Sequence, residues 1–210
     1  MSFAMQGSLL DLDDGLTLHE LPDGLVRTEL GSGAWVDLRP AWLTGGDALF
    51  DVLHHDVPWR AERRQMYDNV VDVPRLTTFY DVDEALPHPM LTTVRDALSD
   101  HYEPELGERF VTAGLCLYRD GRDSVAWHGD RIGRSTSEDT MVAILSVGSP
   151  RPLMLRPRNG GAATLRLPLG HGDLVVMGGS CQRTWDHAIP KTTKEVGPRI
   201  SIQFRVRGVR

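Results

Sequence analysis

From residue 110 to residue 207 the chain reads as a succession of short strands, and no other feature limits the possible folds so strongly. Apolar or alternating runs cover residues 110–118, 140–147, 152–156, 163–167, 173–177 and 199–207, separated by Gly- and Pro-containing turns. Six or more such strands close into a sandwich or barrel. Two helical patterns come earlier. The first has Thr44 as its N-cap candidate, Asp47 three residues on, and Leu49, Val52 and Leu53 on one face. The second opens at Pro89, a residue suited to a first helical position, and carries Leu91, Val94 and Leu98 on its apolar stripe. Residues 1–43 are mixed, with turn signals at Asp13-Asp14-Gly15, Pro22-Asp23-Gly24 and Gly31-Ser32-Gly33. The expected architecture is α+β but mainly β: a double-stranded β-helix (jelly roll) over 110–207, buttressed by N-terminal helices. One domain is expected over 1–210, with 1–57 an N-terminal extension and helix.

Charge and composition narrow the function. The formal net charge of −6 argues against bulk attraction to nucleic acid, so any such contact must be local. Lys191 and Lys194 are the only lysines, and the remaining basic residues are arginines, whose planar fork suits carboxylates and phosphates. No apolar run approaches the length of a bilayer span, and residues 1–16 lack the basic and apolar regions of a secretory signal. The two cysteines, Cys116 and Cys181, fall in a strand and a strand-end loop and offer no disulfide framework, so a cytoplasmic protein with reduced thiols, no membrane association and a monomeric state is the expectation.

Within this frame one constellation carries chemistry. His128 and Asp130 stand two residues apart, which puts both side chains on one face of an extended backbone. His187 follows the run 173–177 and is the candidate third ligand. Two histidines and a carboxylate leave coordination positions open, an arrangement that suits non-haem iron(II) and oxygen chemistry. Each histidine taken singly reads more readily as a hydrogen-bonded or surface residue, and it is the context of strands and arginines that favours a ligand set. The run RISIQFRVR alternates strictly, with Ile200, Ile202, Phe204 and Val206 on one face and Arg199, Ser201, Gln203, Arg205 and Arg207 on the other. Its arginines either clamp an anion such as a dicarboxylate inside the barrel or face water.

Five ordered segments then carry a resemblance: PRLTTFYD (74–81), LYRDGRDSVAWHGD (117–130), LPLGHGDLVVM (167–177), TWDHAIPK (184–191) and PRISIQFR (198–205). Over roughly 58–207 the chain resembles the AlkB family of Fe(II)/2-oxoglutarate-dependent dioxygenases, in particular its nucleic-acid dealkylating branch. The resemblance implies that His128, Asp130 and His187 bind Fe(II), and that Tyr118, Arg199 and Arg205 bind the carboxylates of 2-oxoglutarate, with Cys116, Ser201 and Gln203 beside them. It implies an enzyme that spends O2 and 2-oxoglutarate on oxidative removal of N-alkyl groups from bases, releasing formaldehyde, succinate and CO2. Its partner would be alkylated single-stranded or flipped-base nucleic acid. Residues 58–85 resemble the family's nucleotide-recognition lid, in which Arg60, Arg63, Arg64, Tyr67, Arg75, Phe79 and Tyr80 would hold the nucleotide. Trp127, beside the ligand pair, is a further substrate-binding candidate, and like Trp185 it also reads as a wall residue.

Three positions depart from the family pattern. Cys116 stands where an Asn is usual, Ser201 and Gln203 replace Asn and Thr, and Ile132 replaces an acid that contacts the damaged base, a part for which Glu138 or Asp139 is a possible substitute. Alternative readings are a 2-oxoglutarate oxygenase acting on a protein side chain or small metabolite, a zinc hydrolase on the same triad, and a non-catalytic metal-holding β-roll.

Overall fold

The structure, a computed structural model, describes residues 15–66, 69–130, 133–159 and 165–209, with the side chains of 63–66 and 69–72 outside the description. Two antiparallel sheets dominate. The larger has eight strands, in the order β2 (Val26–Gly31), β3 (Ala34–Arg39), β12 (Leu174–Gly179), β9 (Val142–Gly148), β14 (Arg199–Arg205), β7 (Thr112–Tyr118), β6 (Asn69–Tyr80) and β5 (Arg60–Met66). The smaller has four, in the order β11 (Leu165–Leu169), β10 (Arg151–Pro157), β13 (Trp185–Ile189) and β8 (Val125–His128). A short pair, β1 (Thr17–Leu18) with β4 (Leu43–Thr44), lies apart from both.

The helices cover the outer face of the large sheet. Helix α1 (Asp47–Asp56) buries Leu49 and Leu53 and packs on β9 and β14. Thr44 does not cap it: Gly46 holds the cap position without a side-chain bond, because Thr44 is drawn into β4 opposite Thr17. Helix α2 (Pro89–Leu106) begins as expected, with the His88 ring accepting from Met90 N–H at 3.1 Å, and it ends at Gly107 in the left-handed region. Its stripe of Leu91, Val94, Leu98 and Tyr102 is buried. Tyr102 stacks on Trp35 and donates to Asp37 at 2.9 Å, while Arg27 closes on the same carboxylate through two bonds. That network fixes α2 to β2 and β3.

Both faces of β14 are buried, which gives the molecule its interior. Ile200, Ile202 and Phe204 are fully covered on the helix side. Arg199, Ser201 and Arg205 are buried on the other, toward the small sheet, so the water-facing reading of this strand does not hold; Arg207 lies past its end and is exposed. The strands over 110–207 fall close to their expected positions, but β8 and β13 were not expected. WDHAI and VAWH are short and mix charge with aromatics, so neither shows an apolar alternation. They are strands because each completes its hydrogen bonds against a neighbour, β13 lying between β10 and β8.

Candidate active site

Register brings the histidines together. Across the β13–β8 pair His187 stands directly opposite His128, and the ring centroids are 4.3 Å apart. The chain leaves β8 at His128 and turns through Gly129, which returns Asp130 to the same point: its Oδ1 lies 3.5 Å from His128 Nε2 and 3.9 Å from His187 Nε2. One ligand atom from each of the three lies within 4.8 Å of the others. His128 Nδ1 is 2.8 Å from the Ala126 carbonyl, which can only accept, so the proton sits on Nδ1 and Nε2 offers its lone pair. Burial, reinforced by His128, pushes the His187 imidazole down to about 3, leaving it neutral. Burial alone would push Asp130 up, but the Arg205 guanidinium holds it well below the usual carboxylate range.

Arg205 is committed to Asp130. Its Nε and Nη2 both donate to Oδ2, at 2.9 and 2.6 Å, and Nη2 also reaches Gln203. Arg205 also lines the cavity next to the aspartate, where the expected cosubstrate carboxylate would lie.

Behind the triad a cavity of about 1220 Å³ opens between the sheets. One wall is the inner face of the large sheet: Arg75, Thr77 and Phe79 from β6, Gly114, Cys116 and Tyr118 from β7, and Arg199, Ser201, Gln203 and Arg205 from β14. Arg199 is the notable group there. It is 1% exposed, its Nε donates to Ser146 Oγ at 2.8 Å, and its buried Nη1 has no partner among the described residues. Burial lowers its pKa against the opposing effect of Tyr118, and no acid among the described residues is bonded to it. A guanidinium in that state is a candidate anion site. Tyr118, pushed up to about 12 chiefly by burial, remains a neutral phenol beside it. Metal donors at one end and an unanswered cation at the other fit a dicarboxylate that chelates a metal.

The remaining expectations divide. Arg75, Phe79 and Tyr80 line the cavity, with Arg60 at its edge, and Phe79 is 38% exposed. Trp127 does not: strand alternation turns it away from His128, and its ring packs under Arg156 at 4.3 Å. Glu138 and Asp139 do not line the cavity either, being drawn off by Arg134 and Arg183, and the described acids in the wall besides Asp130 are Glu62, Asp81 and Glu84. The side chains of Arg63 and Arg64, together with Tyr67 and Ile132, lie outside the described residues. Cys116 and Cys181 are free and buried. Sequence reasoning missed Ser146, which alternation along β9 could have found, and Gln182, for which no signal existed.

A jelly roll with this metal-donor set and an anion site behind it defines a class of oxygenases, and the sequence agrees. The sequence model of the 2OG-Fe(II) oxygenase superfamily matches residues 52–205, and the chain belongs to that superfamily, working with Fe(II), 2-oxoglutarate and O2. Its particular place is in the AlkB family. It is 32% identical to the human alpha-ketoglutarate-dependent dioxygenase alkB homolog 3, covering 96% of this chain and 73% of that protein. It is 29% identical to the DNA oxidative demethylase ALKBH2 of Arabidopsis thaliana, covering 75% and 61% respectively. Among solved structures, that of OsALKBH1 superposes with a TM-score of 0.61 at 13% identity, over 87% of this chain and all of that one, a likeness of fold.

Proposed function

We propose that this dioxygenase removes N-alkyl groups from nucleic-acid bases, releasing formaldehyde, succinate and CO2. The observation that carries the reading is the cavity's continuity: it runs from the His128, Asp130 and His187 donors to an aromatic rim at Phe79 and Tyr80, on the β5–β6 hairpin. Bound iron, with 2-oxoglutarate and O2, supplies the oxidising equivalent that hydroxylates the N-alkyl carbon.

The chain's own residues bind and orient. His128, Asp130 and His187 hold the metal, and Arg205 keeps the aspartate ionised. Arg199 and Tyr118 hold the distal carboxylate of the cosubstrate, with Ser146 fixing the guanidinium. Cys116, Ser201 and Gln203 shape the passage between the two ends. Phe79 and Tyr80 stack a base that has left its helix, and Arg75 and Arg60 answer its phosphates. The hydroxymethylated nitrogen then sheds formaldehyde. The two buried free thiols suit a reducing compartment, in keeping with a cytoplasmic monomer.

Mass spectrometry of methylated oligonucleotides, incubated with iron-loaded protein, 2-oxoglutarate and ascorbate, tests this. Loss of one CH2 unit per lesion is expected, and Asp130→Ala abolishes it. Succinate formation that no methylated oligonucleotide stimulates would transfer the reading to a protein side chain or small metabolite, which the net charge of −6 favours.

A further inference from the structure

The turn that leads into β13 does more than join two strands. Helix α3 (Cys181–Thr184) is four residues long and sits directly before the strand that carries His187. Gln182, on this turn, is 1% exposed, and its Oε1 accepts the backbone N–H of Asp130 at 2.9 Å. The Asp130 carbonyl is held from the other side by the Ser135 hydroxyl. Both main-chain polar groups of the aspartate thus end on side chains, so its peptide is fixed where no strand neighbour could fix it.

The orientation of the Gln182 amide follows from this bond. An N–H must meet the carbonyl oxygen, which leaves Nε2 buried without a partner among the described residues. An unpaired buried donor is costly, and packing alone would be served better by an apolar side chain of the same size. The cost is explained if the Oε1 bond is what the site requires. Neighbouring bonds secure the turn itself: Ser180 Oγ donates to the Ser32 carbonyl at 2.8 Å, and Arg183 pairs with Asp139.

We infer that Gln182 is a positioning residue for the metal site, fixing the Asp130 loop against the segment that carries His187 so that carboxylate and imidazole converge before the metal arrives. The inference rests on Asp130 being a metal ligand. Outer partners of ligands commonly contribute 10- to 100-fold in metal affinity.

The test uses Mn(II), followed by the electron paramagnetic resonance signal of the free ion, with N-oxalylglycine as a non-reacting cosubstrate. Gln182→Met keeps the volume and loses the acceptor; it should weaken Mn(II) about tenfold or more, with N-oxalylglycine affinity at saturating Mn(II) unchanged. Gln182→Glu keeps an acceptor oxygen and should restore Mn(II) binding. Ser135→Ala, a one-atom deletion, should weaken Mn(II) in the same direction and carries the test if Gln182→Met does not fold. Unchanged Mn(II) affinity in Gln182→Met, or equal losses in Met and Glu variants, overturns the inference. Asp130→Ala separates the two readings: if it binds Mn(II) like the parent, the ligand assignment fails, whereas if it abolishes binding while Gln182→Met is silent, only the role of Gln182 fails.

Discussion

Arg199 carries its charge into the interior with one hydroxyl as a hydrogen-bonded partner and a phenol ring 5.3 Å away, so removing it should have opposite effects on folding and on binding. A buried cation without an acid costs stability, and an apolar replacement of similar length relieves that cost. Arg199→Met is therefore expected to leave the melting temperature of the metal-free protein unchanged or raised. In the same variant, 2-oxoglutarate binding measured calorimetrically with Mn(II) should weaken by about 3 kcal/mol, roughly 100-fold. A fall in both quantities would mean that the guanidinium is structural. Much of this was legible beforehand: Arg199 and Arg205 fall on one face of an alternating strand, and His128 and Asp130 are close in sequence, although Asp130 reaches the site through the Gly129 turn and not along an extended strand. The bond that Arg205 makes to Asp130 was not legible, for the complementary reason: its partner lies 75 residues away and meets it only when the sheets close.

At the level of elements, the β5–β6 hairpin extends the large sheet by two strands and brings Phe79 to the cavity rim. If that ring stacks a base, Phe79→Ala should weaken binding of a methylated oligonucleotide by about 1–3 kcal/mol, read by fluorescence anisotropy, while N-oxalylglycine affinity stays as it was. Equal losses for both ligands would instead mark the ring as part of the cavity's packing. Residues 199–207 disclosed their strand through alternation, and Pro89 disclosed the start of α2. The metal-bearing strands were hidden because β8 and β13 owe their form to pairing with each other and with β10, a long-range effect that local propensity does not record. Thr44 looked like a cap for the same reason in reverse: a good local signal lost to a strand partner, Thr17, in another part of the chain.

For the molecule as a whole, alkaline titration reports how tightly the interior is closed. Burial pushes the Cys181 thiol up to about 12 from 9.0, and Tyr118 up to about 12 from 10.0. In the folded state both keep their protons where the unfolded chain loses them. Their contribution is complete below pH 9 and is lost as pH rises through the interval to 12, at about 1.4 kcal/mol per unit for each group once its unfolded pKa is passed. Urea midpoints of the metal-free protein should accordingly fall between pH 9 and 11, and a flat profile would show that water reaches both groups. One further consequence follows from the guanidinium sealed behind the metal site. Anything that answers its charge favours the folded chain over every opened form, and 2-oxoglutarate, the counter-ion proposed for it, is also the enzyme's reactant. Proteolytic clearance should slow as the metabolite accumulates, so that the standing amount of enzyme tracks the abundance of its own feedstock.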